Sequence, residues 1–154
     1  MSQNTEPQVE KIDAMFVQSA REMTSSYRSL TLHGLSPATL FIAGGPQRAV
    51  GQLPTKKFVD QWGEGENSFA DDPPNAVVSF LEDGETVPQE VVVVLSRPQL
   101  DGDTISYTVD VLDGDLPGRA GSCSLFIDPI GRPLTSASVA GVRRRERRRM
   151  YRRT

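Results

Sequence analysis

The chain of 154 residues is 37% hydrophobic and 6% aromatic, which is sufficient for one domain whose core needs no cross-links. The single cysteine, Cys123, excludes an intrachain disulfide and a multi-cysteine metal site, and its alternating apolar neighbours indicate a small buried side chain. The net charge of −3 conceals an asymmetry: residues 143–154 carry eight arginines and one glutamate, whereas residues 1–142 carry the remaining nine basic and nineteen acidic residues. The composition therefore indicates an acidic body with a basic tail.

The chain shows no signal for a membrane. No apolar run approaches the roughly 18 residues that a membrane-spanning helix needs. The N-terminal sequence MSQNTEPQVEKIDAM lacks the basic and apolar regions of a secretory signal and is too acidic for a transit peptide. We therefore expect a soluble, cytoplasmic protein.

The first predicted element is an amphipathic helix within residues 1–28. Between Val9 and Tyr27 the apolar residues recur every three or four positions, which is typical of one stripe on a helix of about five turns. The opposite face mixes acids and bases, which disfavours a membrane-surface helix. We expect the helix to pack on the domain or on a second copy, so one predicted assembly is a homo-oligomer. The apolar stripe comprises Val9, Ile12, Met15, Phe16, Ala20, Met23 and Tyr27.

Residues 29–142 are predicted to form a β-rich core domain. Short strands are expected at 30–32 and 38–43, and the apolar pattern resumes at 48–51. A short helix is predicted at 55–62, with Thr55 as its N-cap. Phe58, Val59 and Trp62 would face the core.

Four longer strands are predicted within residues 76–128, and the clearest is 104–112, because its apolar and polar residues alternate. The run VVVVL at 91–95 is apolar on both faces, which indicates a central strand. Connections rich in Gly, Pro and Asp suit antiparallel neighbours. We therefore predict an all-β, antiparallel β-sandwich-like domain of about seven strands, with the N-terminal helix and one short internal helix. The other predicted strands are 76–81, 122–128 and an additional edge strand at 134–142, and the apolar face of 104–112 comprises Ile105, Tyr107, Val109 and Val111.

Three segments, FADDPPNAVVSF, LDGDTISYTVDVLDGDLP and SLFIDPIGRPL, resemble a family of uncharacterised bacterial proteins. The stretch TLFIAGGPQRAVGQLPTKKFVDQW is similar to a further family segment, T-hydrophobe-FSDRP-x-R-x-x-G-H-x-x-T-x-x-F-x-x-W. The resemblance covers about residues 38–134 and implies a β-rich fold in proteins that are often exported and have no established activity. Gly44, Gly45 and Gln52 stand where the family often has polar or ionisable residues, so the resemblance does not extend to chemistry at those side chains. The matching residues are Thr39, Phe41, Pro46, Arg48, Gly51, Thr55, Phe58 and Trp62.

The arginine-rich tail, residues 143–154, is the strongest functional signal. Its arginines can neutralise several phosphates, because a planar guanidinium matches phosphate oxygens, and Tyr151 can stack on a base. The tail therefore predicts binding of nucleic acid or another polyanion. The alternatives are a solvated tail, a tail folded back on the acidic body, or contact with an anionic membrane surface. The predicted polyanion-binding residues are Arg143, Arg144, Arg145, Arg147, Arg148, Arg149, Tyr151, Arg152 and Arg153.

Two LDGD repeats, at 100–103 and 112–115, are weak candidates for calcium sites. They flank the same predicted strand and lie too far apart to share an ion at ~3.4 Å per residue. Asp-Gly is also common hairpin-turn chemistry, and we favour that interpretation. No cofactor is expected. The candidate carboxylates are Asp101, Asp103, Asp113 and Asp115.

Catalysis has little support from the sequence. His33 is the only histidine, it follows a short predicted strand, and no serine lies in a G-x-S-x-G context. We predict that the protein is not an enzyme but a non-catalytic binding or assembly module whose tail engages a polyanion. Two alternatives remain. One is a structural, self-assembling protein that uses the N-terminal helix and the tail as subunit contacts. The other is a small ligand-binding protein or hydrolase that uses the loops at one end of the sheet.

Overall fold

A computed structural model of the chain describes residues 14–44, 49–65, 68–82 and 84–128. Within these ranges one antiparallel sheet of ten strands is accompanied by one short helix, so the all-β prediction is confirmed. A single sheet replaces the predicted sandwich of about seven strands. No helix of the described ranges is long and apolar enough to cross a membrane. The elements are β1 (Ala14–Ala20), β2 (Glu22–Ser26), β3 (Ser29–His33), β4 (Ala38–Ala43), β5 (Ala49–Pro54), α1 (Thr55–Asp60), β6 (Asn75–Phe80), β7 (Gln89–Asp101), β8 (Thr104–Asp113), β9 (Arg119–Ala120) and β10 (Cys123–Asp128).

The strand order shows that the sheet is strongly curled. Its order is β5-β4-β1-β10-β6-β7-β8-β3-β2-β9. Only Arg21 separates β1 from β2 in sequence, yet these are the third and ninth strands in that order. The sheet must therefore curl until its third and ninth strands meet end to end. The concave side of the curled sheet packs against the core, and we call the convex side the outer face.

The predicted N-terminal helix is wrong for residues 14–26, which form β1 and β2. The remaining stripe residues, from 9 to 13, lie outside the described residues. In β1, Phe16 and Ala20 face the core on a period of two, and Tyr27, which the helix would bury, is almost fully exposed. Both strands are paired on both sides within the sheet, so they cannot form the helical subunit contact that the sequence predicts.

The other predicted strands in the described ranges are found, and three strands, β1, β2 and β9, were not predicted. β7 lies between β6 and β8, and both Val92 and Val93 are buried although they face opposite sides, which confirms the central strand. In β8 the burial of the apolar face ends at Val109, because Val111 is exposed. The predicted edge strand at 134–142 lies outside the described residues.

α1 and the residues after it fill the interior of the curl with aromatic rings. Phe58 and Trp62 are buried as predicted, and their ring centroids lie 5.8 Å apart. Phe16 of β1 contacts Phe58 at 5.0 Å, and Trp62 contacts Phe69 at 4.9 Å. Trp62 also contacts Tyr107 of β8 at 5.9 Å. These large side chains join β1 and β8 through the helix and account for much of the apolar burial.

A buried series of hydrogen bonds between polar side chains also connects α1 to the sheet. The Tyr107 hydroxyl donates to Gln18 Oε1 at 2.8 Å, and Gln18 Nε2 donates to Thr39 Oγ1 at 3.3 Å. The hydroxyls of Thr39 and Thr55 lie 2.8 Å apart, and Thr55 donates to the Ser36 carbonyl oxygen at 3.0 Å. Burial raises the pKa of Tyr107 beyond its ordinary range, so its hydroxyl stays protonated as a donor. Thr55 makes no cap hydrogen bond, and its predicted N-cap role is wrong.

Candidate binding cleft

A surface cleft of about 840 Å³ opens at the corner between β1 and β2. We call it the corner cleft. Its walls are that corner, the end of β3, the residues that follow β6, and β9 with its flanking residues. The volume lies within the range of small-molecule sites, and the lining mixes polar and apolar residues. The ionisable and imidazole side chains in the lining are Arg21, Glu22, His33, Glu82 and Arg119.

Arg21 is the most accessible cation of the corner cleft. Its side chain is 84% exposed, and its contact with Asp103 is long, at 4.0 Å between Nη2 and Oδ2. The guanidinium lies against Gly34, where an added Cβ would come within 2.9 Å of Arg21 Nη2. Gly34 also has a φ of +66°, which favours glycine. Glycine at this position therefore gives the Arg21 side chain room to lie beside the cleft.

Two further contacts hold the polar side chains of the cleft in place. Arg119 Nε donates to Glu22 Oε2 across the pairing of β9 with β2. A guanidinium has five N–H donors, so this pair leaves others for a ligand. His33 Nε2 lies 2.9 Å from Thr24 Oγ1. The arginine and histidine side chains of the lining offer hydrogen bonds and positive charge to a small polar ligand.

The predicted polyanion-binding residues, which span 143–153, lie outside the described residues. The four aspartates of the LDGD repeats are found at the two ends of β8, with Asp101 and Asp103 at one end and Asp113 and Asp115 at the other. The glycine inside each repeat has a positive φ, 63° and 89° respectively, and Gly102 lies in the two-residue turn that joins β7 to β8. In the described part of the chain no group of three or more potential ligands could hold a metal ion.

Cys123 does not take part in the cleft. It is buried between Ala20 of β1 and Phe80 of β6, which are its partners in the sheet. Burial raises the pKa of its thiol to about 11. The thiol is therefore protonated and a poor nucleophile at neutral pH, and its interpretation as a small core residue is confirmed.

The corner cleft was not predicted from the sequence. The helical pattern between Val9 and Tyr27 places Arg21 on the polar side of the predicted helix, and Arg119 falls in a connection between predicted strands. They come together because β2 pairs with β3 on one side and with β9 on the other. No local pattern encodes such long-range pairing. The only local signal is Gly34, whose flexible backbone follows the single histidine.

No protein-family model, curated protein or solved structure matches this chain.

Proposed function

We propose that the protein is a non-catalytic binding module whose arginine-rich tail engages a polyanion such as nucleic acid. The observation that carries this proposal is the partition of charge. The described residues include 14 acidic and 6 basic side chains, whereas residues 143–154 hold eight arginines and one glutamate. A polyanion is repelled by the first group and attracted by the second.

The six basic side chains of the folded body do not provide an alternative binding surface for a polyanion. Four of the six lie within ion-pair distance of carboxylates. Exposed pairs of this kind contribute little to stability, but each holds a carboxylate beside its cation, which disfavours an extended polyanion at these sites. Binding must therefore depend on the tail. The pairs are Arg21–Asp103, Arg28–Asp110, Lys56–Asp60 and Arg119–Glu22.

The position of the tail in the chain supports the same proposal. β10 lies between β1 and β6, so the tail follows a strand that is paired on both sides. Residues 129–142 separate this strand from the arginines, and a segment of this length can span up to about 45 Å at ~3.3 Å per residue. That reach is several times the Debye length of ~8 Å at physiological ionic strength. If that segment is extended away from the sheet, a polyanion can bind the arginines without approaching the acidic body.

The test is binding of labelled single- and double-stranded oligonucleotides to the full-length protein over a series of salt concentrations. If the tail contacts about six phosphates, log K should fall with log salt at a slope of about −5 on duplex DNA. Two full-length variants serve as matched controls, one with the eight tail arginines changed to lysine and one with them changed to glutamine. The lysine variant should keep the salt dependence, and the glutamine variant should lose binding. Undiminished binding by the glutamine variant would contradict the proposal.

The corner cleft supports a second candidate function, the binding of a small anionic ligand. The observation that favours it is the exposed Arg21 guanidinium, which lines the cleft together with Arg119 and His33. Two carboxylates, Glu22 and Glu82, line the same cleft, and Glu22 pairs with Arg119. A ligand that binds only the folded state stabilises that state and so raises the melting temperature. At a free-ligand concentration of a hundred times the Kd, the stabilisation is about 2.7 kcal/mol. We expect inorganic phosphate or citrate to raise the melting temperature of the wild type.

A matched pair of variants assigns that stabilisation to the cleft. Arg21→Gln should remove it, whereas Arg97→Gln, which changes an exposed arginine outside the cleft, should leave it intact. Calorimetry with the same anions gives an independent affinity. Equal stabilisation of both variants would show that the anions do not bind at Arg21.

A further inference from the structure

Five adjacent strands of the sheet are almost free of charge. β5, β4, β1, β10 and β6 follow one another in the strand order, and they contain one charged residue, Asp128, which is buried. All other described acidic residues lie outside these strands. We call the outer side of these five strands the neutral face. It is a large uncharged surface on an otherwise acidic body.

The register of the strands aligns apolar side chains across the neutral face. Alternate residues of a strand face opposite sides, so the residues between the core positions point outward. In one row Val50 pairs with Ile42, and Ile42 pairs with Met15. Near the sheet edge Val50 is 68% exposed, Leu40 45% and Ile42 44%. The second row consists of Leu40, Val17, Phe126 and Val77.

Among the described strands, β5 forms the edge of the neutral face, and it lacks the features that protect the other edge of the sheet. That other edge, β9, is two residues long and carries Arg119, which pairs with Glu22. β5 is six residues long and uncharged. An edge strand presents unpaired N–H and C=O groups, and natural sheets usually protect it by shortness or charge, because it otherwise pairs with another strand.

We propose that the neutral face and the β5 edge join two copies of this chain in a symmetric dimer. Antiparallel pairing of β5 with its copy about a twofold axis continues the sheet from one protomer into the other. It also places Val50 of each protomer beside the neighbouring β5 strand on the same side of the continued sheet, which removes part of its exposed surface from water.

The charge distribution is the reason for choosing a second copy as the occupant. With 14 acidic against 6 basic side chains in the described body, two identical bodies repel each other at most approaches. The neutral face is where two copies can meet without juxtaposed like charges. A twofold interface places the same patch on both protomers, and an uncharged apolar patch complements itself. This dimer does not depend on the role proposed for the tail.

The test compares the mass of the full-length wild type with that of two variants by light scattering and sedimentation over a concentration series. Val50→Asp adds a charge on the neutral face. Val87→Asp is its matched control, because Val87 is also 68% exposed but lies in the connection between β6 and β7. Both side chains are exposed, so both variants should fold and melt like the wild type.

We expect the wild type and Val87→Asp to double in mass with rising concentration. Val50→Asp should remain monomeric at the same concentrations, with a dissociation constant raised at least tenfold. If the wild type stays monomeric up to millimolar concentration, the proposal is wrong. This is the result expected if another segment of the same chain covers the neutral face. A Val50→Asp variant that dimerises like the wild type also overturns the proposal.

Discussion

Gly51 shows how the absence of one side chain lets an aromatic ring pack at the edge of the sheet. Phe41 is the residue directly opposite Gly51 in the pairing of β4 with β5. A Cβ added to Gly51 would lie 2.7 Å from Phe41 Cζ, closer than van der Waals contact allows. The ring therefore covers the glycine backbone. This packing gives the combination of Gly51 and Phe41 a physical reason.

We expect Gly51→Ala to lower the free energy of unfolding by about 1–3 kcal/mol, because the Phe41 ring must move out of its packed position. Gly44→Ala is the control in the same hairpin, because nothing lies within 4 Å of an added Cβ there. Its effect should stay within about 0.5 kcal/mol. Urea denaturation of both variants gives the two differences. Equal stability would mean that the ring does not depend on the missing side chain.

The strands differ in how well the alternation of apolar and polar residues in the sequence predicts them. β8 follows a simple alternation, and the predicted strand at 104–112 agrees with Thr104–Asp113. In β1 a buried polar residue, Gln18, interrupts the alternation, so the remaining apolar residues also fit a helical spacing. Its hydrogen-bond partners, Tyr107 and Thr39, come from β8 and β4. A core glutamine could not be recognised from the sequence, because the groups that compensate for its burial are distant in the chain.

The whole molecule separates charge in two ways, and only one of them is visible in the sequence. The contrast between body and tail follows from counting residues. The neutral face does not, because its strands are dispersed along the chain, and strand order alone places them side by side. The corner cleft arises in the same way, since β2 brings β3 and β9 together. Strand pairing between distant segments is what the sequence pattern could not provide.

If the arginine-rich tail is not bound to the acidic body, as the proposed function requires, the effect of salt on the melting temperature can be predicted. If the arginines are free, the acidic body retains its self-repulsion, and added salt should stabilise it by screening that repulsion. We expect the melting temperature of the full-length protein to rise by about 2–4 °C between low and physiological ionic strength, which corresponds to about 1 kcal/mol.

A tail bound to its own body gives the opposite sign, because salt then weakens the attraction between arginines and carboxylates. The variant with its eight tail arginines changed to glutamine distinguishes the two cases by calorimetry. With a free tail its melting temperature should rise with salt as the wild type does. A wild-type melting temperature that falls with salt, together with a rise in the glutamine variant, would mean that the body competes with polyanions for the tail.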